Sequence, residues 1–212
     1  MRYSDRRNAG ELLGVEVARL SPSEPVVYAL PRGGVPVGFE VARALDCPLD
    51  VLVVRKVGVP FQPELAMGAL GEDGVVIRNE EVISLAGVDE ETFREVVESE
   101  TRELESRISL YRGDAAALPP RGHTAIVVDD GLATGSTALA AVSVLGHKGA
   151  AAIWLAVPVA PADSVAKLER HADRVVVLSQ PRRFGAVGYW YEDFSQTSDH
   201  EVRTLLSRSR LA

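Results

Sequence analysis

The sequence predicts an α/β fold built on a parallel sheet covered on both faces. Three observations predict it. Short runs rich in Val, Leu and Ile recur along the chain and are almost continuously apolar, as strands buried on both sides are. Segments of helical periodicity separate them, which supplies the crossovers that parallel strands need. A length of 212 residues with 46% apolar and 25% charged content provides one sizeable core.

Taken in order, a helix is predicted over Asp5–Leu20, a strand over Val26–Leu30, a helix over Val35–Leu45 and a strand over Leu49–Arg55. The second half alternates as strand Thr124–Val128, helix Ser136–Gly146, strand Ala151–Val157, helix Pro161–Arg170, strand Arg174–Leu178 and helix Asp199–Ser207. Asp163 and Asp199 stand near helix starts, where a carboxylate can accept from unpaired backbone N–H groups.

An insertion, residues 58–121, separates the second strand from the third. Val59–Leu65 reads as a mobile loop able to close over a ligand and exclude water. Leu65–Leu70 and Val75–Arg78 read as a hairpin around Gly71-Glu-Asp-Gly74. Asp89–Arg112 is a long amphipathic helix with Phe93, Val97, Leu104, Ile108 and Tyr111 on one stripe, and its Glu-rich face is solvated. Ala115–Arg121, with Pro119-Pro120, leads back to the sheet. Internal repeats are absent, so residues 1–212 read as a single domain.

The net charge is −7, which argues against a bulk nucleic-acid binder, since such affinity comes mainly from neutralising phosphates. A small anionic ligand remains compatible if its site is locally basic. The single cysteine, Cys47, forms no internal disulfide and fits a packing role in a reducing cytoplasm. No apolar run approaches the roughly 18 residues of a membrane span, and Met1–Arg7 lacks the apolar core of a signal peptide. His123, His147, His171 and His200 are scattered without metal-ligand spacing.

The chemistry concentrates in Ile126–Thr137. A buried strand ends in two acids, Asp129 and Asp130, followed by Gly131-Leu-Ala-Thr-Gly-Ser-Thr137 and an apolar helix. Ligands of parallel α/β sheets bind where strands end and helices begin. The glycine-rich turn and helix N-terminus present N–H groups to an anion, and Thr134, Ser136 and Thr137 add hydroxyl donors, which suits a phosphate monoester. The two carboxylates accept from the 2′ and 3′ hydroxyls of a ribose and can help hold Mg²⁺, directly or through water. A P-loop is excluded, because Gly131 and Gly135 are wrongly spaced and no Lys precedes Ser136; the dinucleotide-binding Gly-x-Gly-x-x-Gly is absent as well.

Val127–Thr137 resembles the 5-phosphoribosyl-1-pyrophosphate (PRPP) motif of type I phosphoribosyltransferases: apolar residues, two acids, a short turn, Thr-Gly and a hydroxyl residue. The whole chain is similar to a bacterial group of predicted phosphoribosyltransferases. The resemblance implies a Rossmann-like parallel-sheet core with a helical and hairpin insertion, a flexible loop, and a C-terminal hood over residues 179–212. It also implies Mg²⁺-dependent transfer of 5-phosphoribosyl from PRPP to a small-molecule nitrogen acceptor, with no nucleic-acid or membrane partner, in a homodimer. Gly131, Leu132, Ala133, Thr134, Gly135, Ser136 and Thr137 are then the 5-phosphate cradle, with Asp129 and Asp130 on the ribose and metal.

Leu30-Pro-Arg-Gly-Gly34 follows the first strand, where Gly33 and Gly34 permit close approach to an anion and Arg32 adds a fixed cation. By resemblance this loop holds pyrophosphate, and Arg32–Gly33 is the place for the family's non-proline cis peptide. Arg55 and Lys56, at the end of the second predicted strand, supply further local cations. Arg32 and Lys56 with Asp129 and Asp130 form the predicted catalytic set, and Glu64 orients a ligand or loop partner.

For the acceptor, the acid that purine-type members carry three residues after the second Asp is Ala133 here, a departure that weakens a purine assignment. The stretch from Gln180 to Phe194 holds five aromatics in a chain with 6% aromatic content. Phe184, Tyr189, Trp190 and Tyr191 are the candidates for stacking on the acceptor base. No residue reads as a general base. A non-catalytic PRPP sensor and a ribose-phosphate hydrolase are the competing readings.

Overall fold

The computed structural model describes residues 2–113 and 115–210. Its elements run α1 (Arg6–Arg19), β1 (Pro25–Ala29), α2 (Gly34–Leu45), β2 (Leu49–Val51), β3 (Arg55–Val59), β4 (Gln62–Leu70), β5 (Val76–Arg78), α3 (Glu80–Ala86), α4 (Glu90–Arg112) and β6 (Thr124–Val128). They continue as α5 (Ser136–His147), β7 (Ala152–Val159), α6 (Ala162–Leu168), β8 (Arg174–Ser179), a 3₁₀ turn at Val187–Trp190 and α7 (Asp199–Ser209).

The core is a five-stranded sheet in the order β2-β1-β6-β7-β8, every pairing parallel. Alternation along the strands divides the interior into two layers, as the apolar runs require. Val27, Ala29, Ile126 and Val128 face the layer shared with α1, α2, α4 and α7. Val26, Tyr28, Ala125 and Val127 face the layer of α5 and α6. The chain leaves β1 in one direction and β6 in the other, so the β1/β6 boundary is the switch point of the sheet. The loops after these two strands open side by side at the carboxyl edge.

Helix α1 lies tightly along α2. A Cβ at Gly10 would fall 2.7 Å from Val37 O, so only glycine allows the two helices this spacing. Asp5 caps α1 by accepting from Asn8 N at 2.7 Å. The long helix follows its predicted stripe: Phe93, Leu104 and Tyr111 are buried, and Val97 and Ile108 pack against the same layer.

Three expectations need correction, and one helix is new. The second strand does not run to Arg55. It leaves the parallel sheet after Val51, and Arg55 begins a separate antiparallel sheet, β3-β4-β5. Leu52, Val53 and Val54 stay buried throughout, so an apolar run cannot reveal where the chain changes sheets. The expected mobile loop, Val59–Leu65, belongs largely to the β3–β4 hairpin, which turns at Pro60-Phe61, and β4 starts at Gln62. The seven-residue helix α3 was too short to show a period; Asn79 caps it, accepting from Val82 N. Finally, Ser198 caps α7 and no side chain caps α6, so neither Asp163 nor Asp199 serves as a cap. The Ser198 hydroxyl takes that role, which leaves Asp199 to accept from Tyr111 Oη at 2.9 Å.

A buried ionic seam fastens the insertion to the core. Arg112 donates to both oxygens of Glu72, to Asp50 Oδ1 and to Val51 O, and Asp50 Oδ2 accepts from Leu118 N. No helix among the described residues is long and apolar enough to cross a membrane.

Candidate functional site

The loop after β1 and the acids after β6 are in direct contact. A Cβ at Gly33 would lie 2.0 Å from Asp130 Oδ2, and one at Gly34 would lie 2.6 Å from Val128 O and 2.9 Å from Asp129 Cα. Gly33 has φ −61, so any residue could adopt its backbone; the glycine is required by the neighbouring acid. The non-proline cis peptide is present but falls one bond earlier than expected, at Pro31–Arg32. Gly33 already has helical dihedrals and Gly34 N donates to Leu30 O at 3.0 Å, so the irregular bond is confined upstream of them.

The acid pair is half-buried. Asp129 Oδ1 accepts from Asp130 N at 2.8 Å, and Asp130 Oδ2 accepts from Arg6 Nε at 2.7 Å. No hydrogen bond among the described residues uses Asp129 Oδ2 or Asp130 Oδ1. Burial pushes the Asp129 carboxyl well above the usual carboxylate range, and the charge of Asp130 pushes it further. Burial also raises Asp130, with Arg6 opposing. The pair is therefore short of positive charge, as a site for a cation or for hydroxyl donors should be.

The hydroxyl loop has exposed and committed parts. Gly135 adopts the left-handed conformation at φ +72 and starts α5. Thr134 and Thr137 are exposed, and Thr134 Oγ1 lies 2.9 Å from Ser136 Oγ. These atoms lie beside the first N–H groups of α5, an arrangement able to hold an anion. Ser164 Oγ donates to Ala133 O at 2.6 Å and steadies the turn from α6. Leu132 does not join the cradle: its side chain is buried and its N–H donates to Val159 O at 2.9 Å. Gly131 is likewise packed, with a Cβ there meeting Val187 Cγ1 at 2.6 Å.

A cavity of about 530 Å³ lies beside these parts and touches them at Pro31 and Thr137; Arg32, Asp129, Asp130, Thr134 and Ser136 are not on its wall. Pro31, Arg55, Lys56, Pro60, Glu64 and Thr137 are on its wall. Each predicted cation has an acidic partner. Lys56 Nζ is 3.2 Å from Glu64, which is 82% exposed, and Arg32 is 3.7 Å from Asp199, which is 40% exposed. Exposed pairs of this kind contribute about 0–1 kcal/mol, so an incoming anion can take either cation. Arg55 is different. Its Nε is 2.6 Å from Glu100 and both side chains are mostly covered, which makes it part of the wall that joins β3 to α4.

The aromatic tail divides, with one member buried and the others partly or largely exposed. Tyr191 is 1% exposed, packs on Tyr3, and donates to Asp130 O at 2.5 Å, so it supports the acid pair from behind and presents no platform. Burial raises its phenol well above the ordinary value. Trp190 is half-buried and donates to Phe184 O at 3.1 Å, while Tyr189 is 71% exposed. None of Phe184, Tyr189, Trp190 and Tyr191 lines the cavity. Arg6 was not foreseen, because it lies 124 positions from Asp130 in an ordinary-looking helix start. Among the described residues no group of three or more His, Cys, Asp and Glu is arranged to hold a metal on its own.

Comparison with known proteins adds four findings. Residues 7–192 match the family model for the phosphoribosyl transferase domain. Curated Mycobacterium tuberculosis proteins, strains H37Rv and CDC 1551, bear the name "Putative phosphoribosyl transferase"; each is 49% identical over 207 residues, 98% of this chain and 47% of the relative. The chain thus spans about half the length of these relatives. The crystal structure of TT1426 from Thermus thermophilus is 40% identical, with a TM-score of 0.89 over 98% of this chain and 99% of that one. A Neisseria gonorrhoeae protein solved with bound ppGpp shares the fold at 13% identity and a TM-score of 0.51, over 99% and 96% of the two chains.

Proposed function

Since this chain belongs to the phosphoribosyl transferase family, we propose that it transfers a 5-phosphoribosyl group from PRPP, with Mg²⁺, to a small nitrogen-containing acceptor and releases pyrophosphate. The observation that carries this reading is the single cavity bordered by Pro31 of the glycine loop, Lys56 and Thr137, with the acids in contact with Gly33 beside it. Its parts match the donor in order. Thr134, Ser136 and Thr137 with the start of α5 hold the 5-phosphate. Asp129 and Asp130 accept from the ribose hydroxyls and favour positive charge as it develops on the ring. Arg32 and Lys56, released from Asp199 and Glu64, take the departing pyrophosphate.

The residues fit Mg²⁺ as a shared ligand. Two oxygens, Asp129 Oδ2 and Asp130 Oδ1, are uncommitted on half-buried side chains, and their charge favours a hard cation whose other ligands are donor oxygens and water. When bound, the ion would neutralise pyrophosphate charge. The chain's own contribution is to orient the donor and shield it from water. The carboxylates on the cavity wall, Glu64 and Glu100, are paired with Lys56 and Arg55, so the acceptor is taken to carry its own reactive nitrogen. A cytoplasmic homodimer remains the expected setting.

Incubation with PRPP, Mg²⁺ and a panel of nitrogenous bases, followed by pyrophosphate assay, tests the reading. Release that depends on a base supports transfer. Release without a base indicates hydrolysis, and binding without turnover indicates a sensor; either result displaces the proposal.

A further inference from the structure

Arg6 sits where three parts of the chain meet. Its Nε is 2.7 Å from Asp130 Oδ2 and its Nη1 donates to Ser195 O at 2.7 Å. Its guanidinium carbon lies 4.0 Å from the centre of the Phe194 ring, a stacking distance for a cation on an aromatic face. A Cβ at Gly33 would fall 3.2 Å from Nε. The Arg6 side chain is 12% exposed, whereas that of the next residue, Arg7, is 68% exposed. One is built into the site and the other is solvated.

The surroundings hold Arg6 and the tail as one unit. Tyr3 N donates to Trp190 O, Glu192 N to Tyr3 O and Asp193 N to Ser4 O, at 2.8, 2.8 and 2.9 Å. Tyr191 Oη donates to Asp130 O at 2.5 Å. The tail therefore reaches Asp130 twice, directly through Tyr191 and indirectly through Arg6. Pinning Asp130 Oδ2 leaves Oδ1 to the ligand, so the carboxylate is oriented before anything binds and little side-chain freedom is lost on binding.

We propose that Arg6 is a positioning residue for the donor: it holds one oxygen of Asp130, offers the other to the ligand, and couples order in residues 190–195 to binding of the ribose phosphate. This rests on the assignment of Asp129 and Asp130 to the ribose. Coupling of this kind is reciprocal, so the tail should tighten when the donor binds and the donor should bind less well when the tail is loosened.

Calorimetric affinity for PRPP with Mg²⁺, and amide hydrogen exchange of residues 190–195 with and without PRPP, test it in the full chain. The variants are Arg6→Gln, Arg6→Lys and Phe194→Ala. Arg6→Gln is expected to weaken PRPP by about tenfold or more, Phe194→Ala by about fivefold, and Arg6→Lys to recover part of the loss. PRPP should slow exchange in the wild-type tail and fail to do so in Arg6→Gln. Inorganic phosphate, which needs only the hydroxyl loop, should bind all four proteins alike. Arg6→Gln binding PRPP as the wild type does, or equal protection of its tail, overturns the coupling and leaves the donor reading standing. Parallel loss of phosphate binding in Arg6→Lys assigns Arg6 a purely structural role and also overturns it. Wild-type protein that binds no PRPP overturns the donor reading and the coupling with it.

Discussion

Glu72 and Arg112 face each other in the buried seam between the antiparallel sheet and the core, with Nη2 2.9 Å from Oε1 and each side chain 5% exposed. Asp50 completes the cluster at 3.2 Å. The seam joins the tight turn after β4 to the end of α4 and to β2, the edge strand of the parallel sheet. It therefore sets how the insertion stands over the cavity.

Removing the cation from this seam strands two buried carboxylates. Arg112→Met should destabilise the fold by about 3–5 kcal/mol, the usual range for breaking a buried ion pair. For a chain of this size that lowers Tm by roughly 2–4 °C per kcal/mol. Urea and thermal melts of the variant check it; a loss under about 1 kcal/mol would show that the carboxylates find other partners.

Gly33 offers a cleaner probe of the site. Its dihedrals suit alanine, but the added methyl meets Asp130 Oδ2. Gly33→Ala should cost about 1–3 kcal/mol of stability as Asp130 is pushed away from Arg6, and weaken PRPP by about tenfold or more. Paired melts and PRPP titrations separate the effects. Unchanged affinity would mean that Asp130 does not touch the donor.

The pH dependence of stability follows from Asp129. Its carboxyl is raised in the folded protein by burial and by Asp130, whereas in the unfolded chain it keeps the ordinary value of 3.8. Between those two values the folded protein retains a proton that the unfolded chain has released. This contribution to stability therefore falls as pH rises from the ordinary value through the raised one, and stays lost above it. In Asp129→Asn the introduced amide does not titrate, and its oxygen still accepts from Asp130 N. The variant should be more stable than wild type at about pH 8 in EDTA, with the advantage vanishing towards about pH 3. Melts across that range decide it; an advantage that grows on acidification has the wrong sign.

Tyr191 separates support from stacking. Tyr191→Phe removes the hydroxyl that donates to Asp130 O but keeps the ring against Tyr3. Stability should fall by about 1 kcal/mol, and KM for the acceptor should stay unchanged while KM for PRPP rises. A KM for PRPP equal to that of the wild type would overturn the supporting role.

The local sequence carried the parallel core well. Thr124–Val128, its acids and the hydroxyl loop form one uninterrupted strand–turn–helix, and each part follows from residues beside it in the chain. The long helix was legible for the same reason, since 23 residues hold several turns of a single apolar stripe. The insertion was less legible. Leu52, Val53 and Val54 are as apolar as any strand of the parallel sheet, but they bury themselves between two sheets, and hydrophobic patterning records burial without naming the partner.

The sequence by itself determined the strand-end half of the candidate site: glycines where backbone must approach, acids at a strand end, and hydroxyls at a helix start. These are short-range requirements, met within a few residues. Only the tertiary structure decided what surrounds Ile126–Thr137. It buried Tyr191 beneath Asp130, committed Leu132 to Val159, tied Arg55 to Glu100 and brought Arg6 across the fold to the acid pair. Each of these depends on close packing between segments far apart in the chain, where a side chain's role is set by the space and charge it meets.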